Sequence, residues 1–496
     1  MPDFLSIDLS EQTPKSAQAL VFYANEKGSL GPVGGAIWAR TGLDFERIAQ
    51  ATGFSARPGH MIDIPAPAGL DCERLIILGR GEDGEGESDA AWADRGGSLF
   101  AKLDAARVHD AAVILDEPGA TPRQIAALAA GATLRSYRFD KYIKRRNGRN
   151  DHKLALTLVV GKPKDLRSEM DAALAVAAGT VLARDLVNEP ANLLGPDDFA
   201  GVARGLTEIG VAVEILTEKE MEKLGMGALL AVGQGSVRPP RLVVMQWNGG
   251  KKQQDPVVFV GKGIVFDTGG ISIKGAASME NMKGDMAGAA AVVGLMHALA
   301  SRKAKVNAIG ILALAENMPD GNAFRPGDII TAMSGETIEI ISTDAEGRLV
   351  LADALWYCRE RFKPQAMVDI ATLTGAVLVA LGNDYAGLFT NTDSLSASLQ
   401  QAGLATGEKV WHLPMGPAYD KLIESRFADI KNQGGRNGGA SIAAQFLSHF
   451  AGDTAWAHLD IAGTGFGGPS SETNTSWGTG FGVALFDRFI RDSYEG

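Results

Sequence analysis

Cysteine is almost absent from this 496-residue chain: only Cys72 and Cys358 occur. Two thiols cannot build a disulfide framework, so nothing points to an oxidising, secreted setting. Histidine is scarce too, at seven residues. No H-E-x-x-H pair occurs, which removes support for single-zinc peptidase chemistry. Neither G-x-S-x-G nor a Cys-His signature is present, so an activated serine or cysteine nucleophile is not indicated. No strongly apolar run reaches the roughly 18 residues of a membrane span. The longest, AGAAAVVGLMHALA at 287–300, reads instead as a buried helix, and no membrane partner is expected. The opening residues MPDFLSIDLSEQ lack a basic segment followed by an apolar one. No secretory signal is therefore expected, and the cytoplasm is the expected compartment. Positive charge is in the minority, with a net charge of −11, so nucleic acid is not an expected partner. Lys141, Lys144, Arg145, Arg146 and Arg149 form a local exception that reads most simply as a solvated loop or interface rim.

What is present suits a large folded protein. Hydrophobic residues make up 45% and charged residues 22%, which is globular rather than disordered composition. The length allows two or three domains. In the first part, ALVFYA (19–24), RLIILGR (74–80), DAAVILD (110–116) and LALTLVV (154–160) read as strands, with helices at 91–106 and 122–137 between them. GEDGEGES (81–88) lacks the ligand spacing of a calcium loop and reads as a solvated turn. A linking helix is expected over 166–187, closed by NEPAN, because the residue before a proline leaves helical geometry. Beyond it DPVVFVG, KVNAIGILAL, AMVDIATL, AGLFTN and WAHLDIAG read as strands, with Ala-rich helices at 286–301 and 349–362. The expected architecture is α/β in two domains, 1–164 and 165–496, each a mixed or mostly parallel sheet flanked by helices. The larger second domain is expected to be catalytic.

Two segments carry candidate chemistry. In FVGKGIVFDTGGISIKGAASMENMKGDMAG (259–288) a strand is expected to end at Val260, with a Gly-rich turn carrying Lys262, Asp267 and Lys274. Asp285 follows just before the apolar helix. The glycines match neither a P-loop nor a dinucleotide fingerprint, so phosphate binding is not indicated. In ISTDAEGRLVLADAL (341–355), Asp344 and Glu346 are two apart, which in extended backbone turns both carboxylates to one side. Gly347 would permit a sharp turn, and Arg348 adds a cation. Alone, Asp-x-Glu is most simply surface charge. Here it lies between an apolar run and a helix, where buried carboxylates need partners. Four converging carboxylates repel one another, and two divalent cations about 3.5–4 Å apart would neutralise them.

These residues are recognisable as a set. VGKGIVFDTGGISIK, NMKGDMAGAAAV and STDAEGRLVLADAL resemble the diagnostic segments of the leucyl aminopeptidase (cytosol aminopeptidase) family. The likeness extends to YRFDKY, RDLVNEPAN, DIATLTGA and WAHLDIAG, while residues 1–130 match in general character only. The resemblance implies a metal-dependent aminopeptidase acting on peptides with free amino termini. It implies that Lys262, Asp267, Asp285, Asp344 and Glu346 hold two divalent ions, manganese or zinc, with Asp267 and Glu346 bridging. Lys274 and Arg348 are the implied catalytic pair, with bicarbonate at Arg348 as general base and a bridging water as nucleophile. Met282, Ser342, Thr372, Leu373 and Gly375 match substrate-pocket positions, although Met282 and Leu373 equally suit plain core packing. A homo-hexamer is the implied assembly. Ser342 stands where many members have asparagine, and GDMAG and KGAAS replace the commoner YDMGG and KPSAG, sparing every ligand. Two rival readings are a catalytically silent member serving as scaffold or nucleic-acid binder, and a metal-dependent hydrolase of another bond such as a phosphate ester.

Overall fold

The computed structural model describes residues 4–25, 28–81, 88–116, 119–144 and 153–495. Most of the acidic GEDGEGES loop, and Arg145, Arg146 and Arg149 of the basic cluster, lie outside these. Lys141 and Lys144 are exposed. The chain divides into two compact units, 1–177 with 470–476, and 178–469 with 477–496. The division falls inside one helix, Pro163–Asn188.

The first unit carries a six-stranded sheet in the order β1-β6-β5-β2-β4-β3. Its strands are β1 (Leu5–Ser10), β2 (Ala19–Asn25), β3 (Met61–Pro65), β4 (Arg74–Gly81), β5 (Asp110–Ile114) and β6 (Leu154–Val159). All pairs are parallel except β3 with β4. Strands β2, β4, β5 and β6 follow the four Val/Ile/Leu-rich runs; β1 and β3 are short edge strands with weaker patterning. The helices Asp89–Ala105 and Pro122–Ser136 belong to one apolar cluster of this unit. Ser88 caps the first through the Ala91 N–H, and Thr121 with Gln124 forms a capping box on the second. The helices Pro32–Arg40 and Phe45–Thr52 pack in the other cluster.

The second unit is built on an eight-stranded mixed sheet, ordered β15-β14-β17-β13-β9-β10-β8-β7. The strands are β7 (Ala212–Leu216), β8 (Arg241–Asn248), β9 (Val257–Asp267), β10 (Asn307–Asn317), β13 (Ala366–Ala371), β14 (Ala386–Thr390), β15 (Val410–His412) and β17 (Trp456–Asp460). A small sheet joins β11 (Ile329–Thr331), β12 (Thr337–Glu339) and β16 (Ile430–Lys431). The four central strands β17, β13, β9 and β10 run parallel. They are buried on both faces, which is why they read as continuous apolar runs without alternation.

Helix Ala287–Ser301 has 13 buried residues of 15 and packs on β9, β10 and β13. Together with the preceding 3-10 turn, Met279–Ser301 is long and apolar enough to cross a membrane, yet its most apolar 18 residues are 89% buried inside the protein. It behaves as a core helix. Truncating Leu295 within it to alanine would cost roughly 2–5 kcal/mol.

One sequence expectation is corrected here. Strand β9 does not stop at Val260 but continues to Asp267. Lys262 and Asp267 therefore sit on a strand, and only Lys274 is on the following loop. Gly261 and Gly263 serve close packing instead, while Gly269 and Gly270 turn the chain after the strand with φ of 85° and 65°. A Cβ on Gly261 would lie 2.5 Å from the Ala289 Cα of the core helix, which no side chain tolerates.

Candidate metal centre

The four central strands point their carboxyl ends the same way, and three of them end on a polar residue. Asp267 closes β9, Asn317 closes β10 and Asp460 closes β17, while Thr372 directly follows β13. Asp267 lies in register with Asn317, and Ala371 with Asp460. The carboxyl ends of parallel strands are where open α/β sheets place their sites.

Lys262 leaves β9 five residues before its end. Its stem passes the start of helix Gly347–Phe362, where a Cβ on Gly347 would meet the Lys262 Cε at 2.7 Å. Gly347 is thus required for clearance and not for a sharp turn. The Lys262 Nζ donates to Asp285 Oδ1 at 2.8 Å and to the Thr372 carbonyl at 2.9 Å, and lies 2.9 Å from Glu346 Oε1. Burial disfavours its charge, but Asp285, Glu346 and Asp267 outweigh that and hold its pKa above the ordinary lysine value. Thr372 Oγ1 also donates to Asp285 Oδ1 at 2.8 Å.

Asp267 is fixed from behind. Its Oδ1 accepts from Asn317 Nδ2 at 2.8 Å and from the Gly269 N–H at 2.9 Å. Its Oδ2 lies 2.8 Å from Lys274 Nζ, which also pairs with Asp344 Oδ1.

Asp344 and Glu346 do not lie in extended backbone. The chain turns there, with Ala345 N–H donating to the Ser342 carbonyl at 3.3 Å, and Glu346 has right-handed helical angles at the head of the helix. The carboxylates converge because the turn folds over, not by strand alternation. Oxygens of Asp267, Asp344 and Glu346 all lie within 4.8 Å of one another. Asp344 is also less enclosed than its neighbours, with 38% of its side chain exposed. Burial, and then mutual repulsion with Asp267, raise the proton affinity of Glu346 and of Asp344.

Two buried carboxylate oxygens here, Asp285 Oδ2 and Glu346 Oε2, have no hydrogen-bond partner. Unpaired buried carboxylate oxygens are costly, and oxygen donors beside a lysine amine suit hard or borderline divalent cations. The donor set fits divalent metal ions.

Arg348 is buried in the first turn of the same helix. Its Nη1 donates to the Asn432 carbonyl at 2.6 Å, while its Nε has no partner. Burial, against the pull of Glu346 and Asp460, pushes its pKa down to about 10. A buried guanidinium with a free donor is suited to a small anion.

The remaining expected residues lie around this centre. Met282 is half-buried in the 3-10 turn Met279–Gly284, immediately before Asp285. The Ser342 hydroxyl accepts from the Asp344 N–H at 3.2 Å. Leu373 donates its N–H to Asp460 Oδ1 at 3.1 Å and is partly packed into the core, so the packing alternative holds for it in part. Gly375 opens helix Gly375–Leu381.

Several supporting residues are not evident from the motifs: Asn317, Asp369, Asn432, His458 and Asp460. Asp369 pairs with His458 Nδ1 at 2.6 Å and accepts from Trp456 Nε1 at 2.8 Å. Asp460 Oδ2 accepts from Thr374 Oγ1 at 2.6 Å, which shapes the loop after β13. Four of the five sit in or at the end of otherwise apolar strands. A lone polar residue inside a continuous apolar strand is the signal that could have found them.

Comparison with known proteins gives a consistent result. The profile described as "Cytosol aminopeptidase family, catalytic domain" matches residues 181–486, and that family's N-terminal domain profile matches residues 19–146. A protein of Chelativorans sp. (strain BNC1), named "Probable cytosol aminopeptidase", is 57% identical over 96% of this chain and 98% of its own length. One of the same name from Rhizobium johnstonii is 56% identical over 90% and 91% of the two chains. Among solved structures, the bottromycin maturation enzyme BotP in complex with Mn is similar with a TM-score of 0.84 at 32% identity, covering 96% of this chain and 99% of that one. A mutant of tomato leucine aminopeptidase gives 0.87 at 30% identity, covering 99% and 97%.

Proposed function

This chain belongs to the cytosol aminopeptidase family, and we propose that Lys262, Asp267, Asp285, Asp344 and Glu346 hold two divalent metal ions in it. The protein is a metal-dependent aminopeptidase, a hydrolase of peptides, and the family match does not support the silent-scaffold alternative. The observation that carries the site proposal is the convergence of these five side chains, with the Asp285 and Glu346 oxygens left unpaired in a buried setting. Asp267 and Glu346 are central in that geometry and would bridge. Manganese is supported by the Mn complex of the related maturation enzyme, and zinc is the other candidate.

When bound, the ions would hold the substrate's free α-amine, polarise the scissile carbonyl and acidify a water. The side chains supply the rest. Lys274 is a quarter exposed, at the edge of the carboxylate cluster. From there its ammonium can donate to the oxyanion formed during attack. No carboxylate remains free to act as base, and the unpaired Arg348 Nε suits it to anchor bicarbonate, which would move the proton. The Thr372 carbonyl holds the Lys262 amine in place. Met282, Ser342, Thr372, Leu373 and Gly375 would read the terminal residue of the substrate.

We place the protein in the cytoplasm, which the relatives' names support, and without nucleic acid as partner, in keeping with the acidic charge; a six-chain assembly rests on the family likeness alone, and no membrane partner is proposed because the apolar helix Ala287–Ser301 is buried. The test of function compares leucyl-nitroanilide, its N-acetyl derivative and a phosphate ester, each with added manganese. Hydrolysis of the free-amine substrate alone is expected. Equal cleavage of the acetylated substrate, or preference for the ester, contradicts the reading.

A further inference from the structure

Asn432 follows β16 and is fully buried. Its backbone N–H continues the pairing with β12 by donating to the Glu339 carbonyl at 3.1 Å. From that anchored position it engages the turn bearing Asp344 and Glu346 in both directions. Its Oδ1 accepts from Ile341 N–H at 2.8 Å and Ser342 N–H at 3.3 Å. Its Nδ2 donates to the Ser342 carbonyl at 2.7 Å and more weakly to the Ala345 carbonyl at 3.4 Å. Its own carbonyl accepts from Arg348 Nη1 at 2.6 Å. One residue therefore touches both the turn that presents two carboxylates and the guanidinium beyond it.

We infer that Asn432 is a positioning residue for the reaction, fixing the Ser342–Glu346 turn and the Arg348 guanidinium relative to each other. The chemistry requires an amide. Aspartate cannot donate to the two carbonyls, and alanine satisfies none of the four side-chain bonds. Without this clamp the turn keeps the bonds of Thr343 with Ser272, Gly269 and Asn317 on its other side, and the ion pairs of its carboxylates with Lys262 and Lys274. Partners that orient metal ligands from behind are worth roughly 10–100-fold in metal affinity or activity. The inference rests on the metal reading of Asp344 and Glu346.

The experiment uses the full chain with Asn432→Asp and Asn432→Ala. Manganese binding is followed by calorimetry, and leucyl-nitroanilide hydrolysis is measured at saturating manganese. Asn432→Asp keeps the acceptor and the backbone carbonyl, so it is the variant to judge if Asn432→Ala fails to fold. The expected result for folded Asn432→Asp is manganese affinity and kcat each lowered roughly 10–100-fold, with KM changed far less. A folded variant with affinity and kcat both within about twofold of the parent overturns the inference. A parent protein that binds manganese without cleaving the substrate would sink the aminopeptidase reading, and the manganese affinities would still decide the role of Asn432.

Discussion

Lys274 Nζ lies 2.8 Å from Asp267 Oδ2 and also pairs with Asp344, so one flexible cation faces two of the proposed metal ligands. Burial opposes its charge, yet Asp267, Glu346 and Asp344 together raise its proton affinity above that of an ordinary lysine. The carboxylates therefore favour its protonated form. Its available chemistry is donation and charge.

Lys274→Ala is accordingly expected to lower kcat by roughly 10²–10³. Metal content per chain, measured by elemental analysis, is expected to stay near that of the parent. A variant that instead loses one metal ion places Lys274 among the ligands.

Lys262 predicts the pH dependence of metal binding. It can ligate only as the neutral amine, while Asp285, Glu346 and Asp267 favour its protonated form despite burial. Metal binding must then release a proton, so affinity weakens as pH falls. In pH–rate curves at several manganese concentrations, added metal is expected to move the acid limb to lower pH. A limb that stays fixed while metal occupancy remains full contradicts this.

Much of this arrangement is legible in the sequence, and the misses have physical reasons. Apolar runs such as those at Val257 and Asn307 announce their strands because both faces are buried. Gly261 reads as a turn residue because a glycine needed for close helix contact looks the same as one needed for backbone freedom. Asp344 and Glu346 are found by their spacing although the geometry is a turn. Asn432 is recognised only after folding, because its partner at Ser342 is distant in the chain. Edge strands such as β7 and β1 carry alternating or mixed exposure too short to distinguish from loops.

Asp353 supplies a stability prediction away from the metal ligands. It is fully buried on helix Gly347–Phe362, accepting from Met333 N–H at 2.7 Å and Leu229 N–H at 2.8 Å. Burial pushes its carboxyl up to about 7 against those two hydrogen bonds. A raised carboxyl pKa contributes stability at acidic pH that is lost as pH rises through the folded value. Asp353→Asn cannot ionise but leaves one N–H poorly paired, at about 1–3 kcal/mol. By urea unfolding, the variant's deficit is expected to be larger at pH 5 than at pH 8. A deficit that widens toward pH 8 contradicts the assignment.

The central claim is that five side chains hold two metal ions, and anomalous diffraction from manganese-soaked crystals tests it most directly. Two peaks are predicted, both touching Asp267 and Glu346, one also beside Lys262 and Asp285 and the other beside Asp344. A single peak, or peaks away from these residues, would contradict the account.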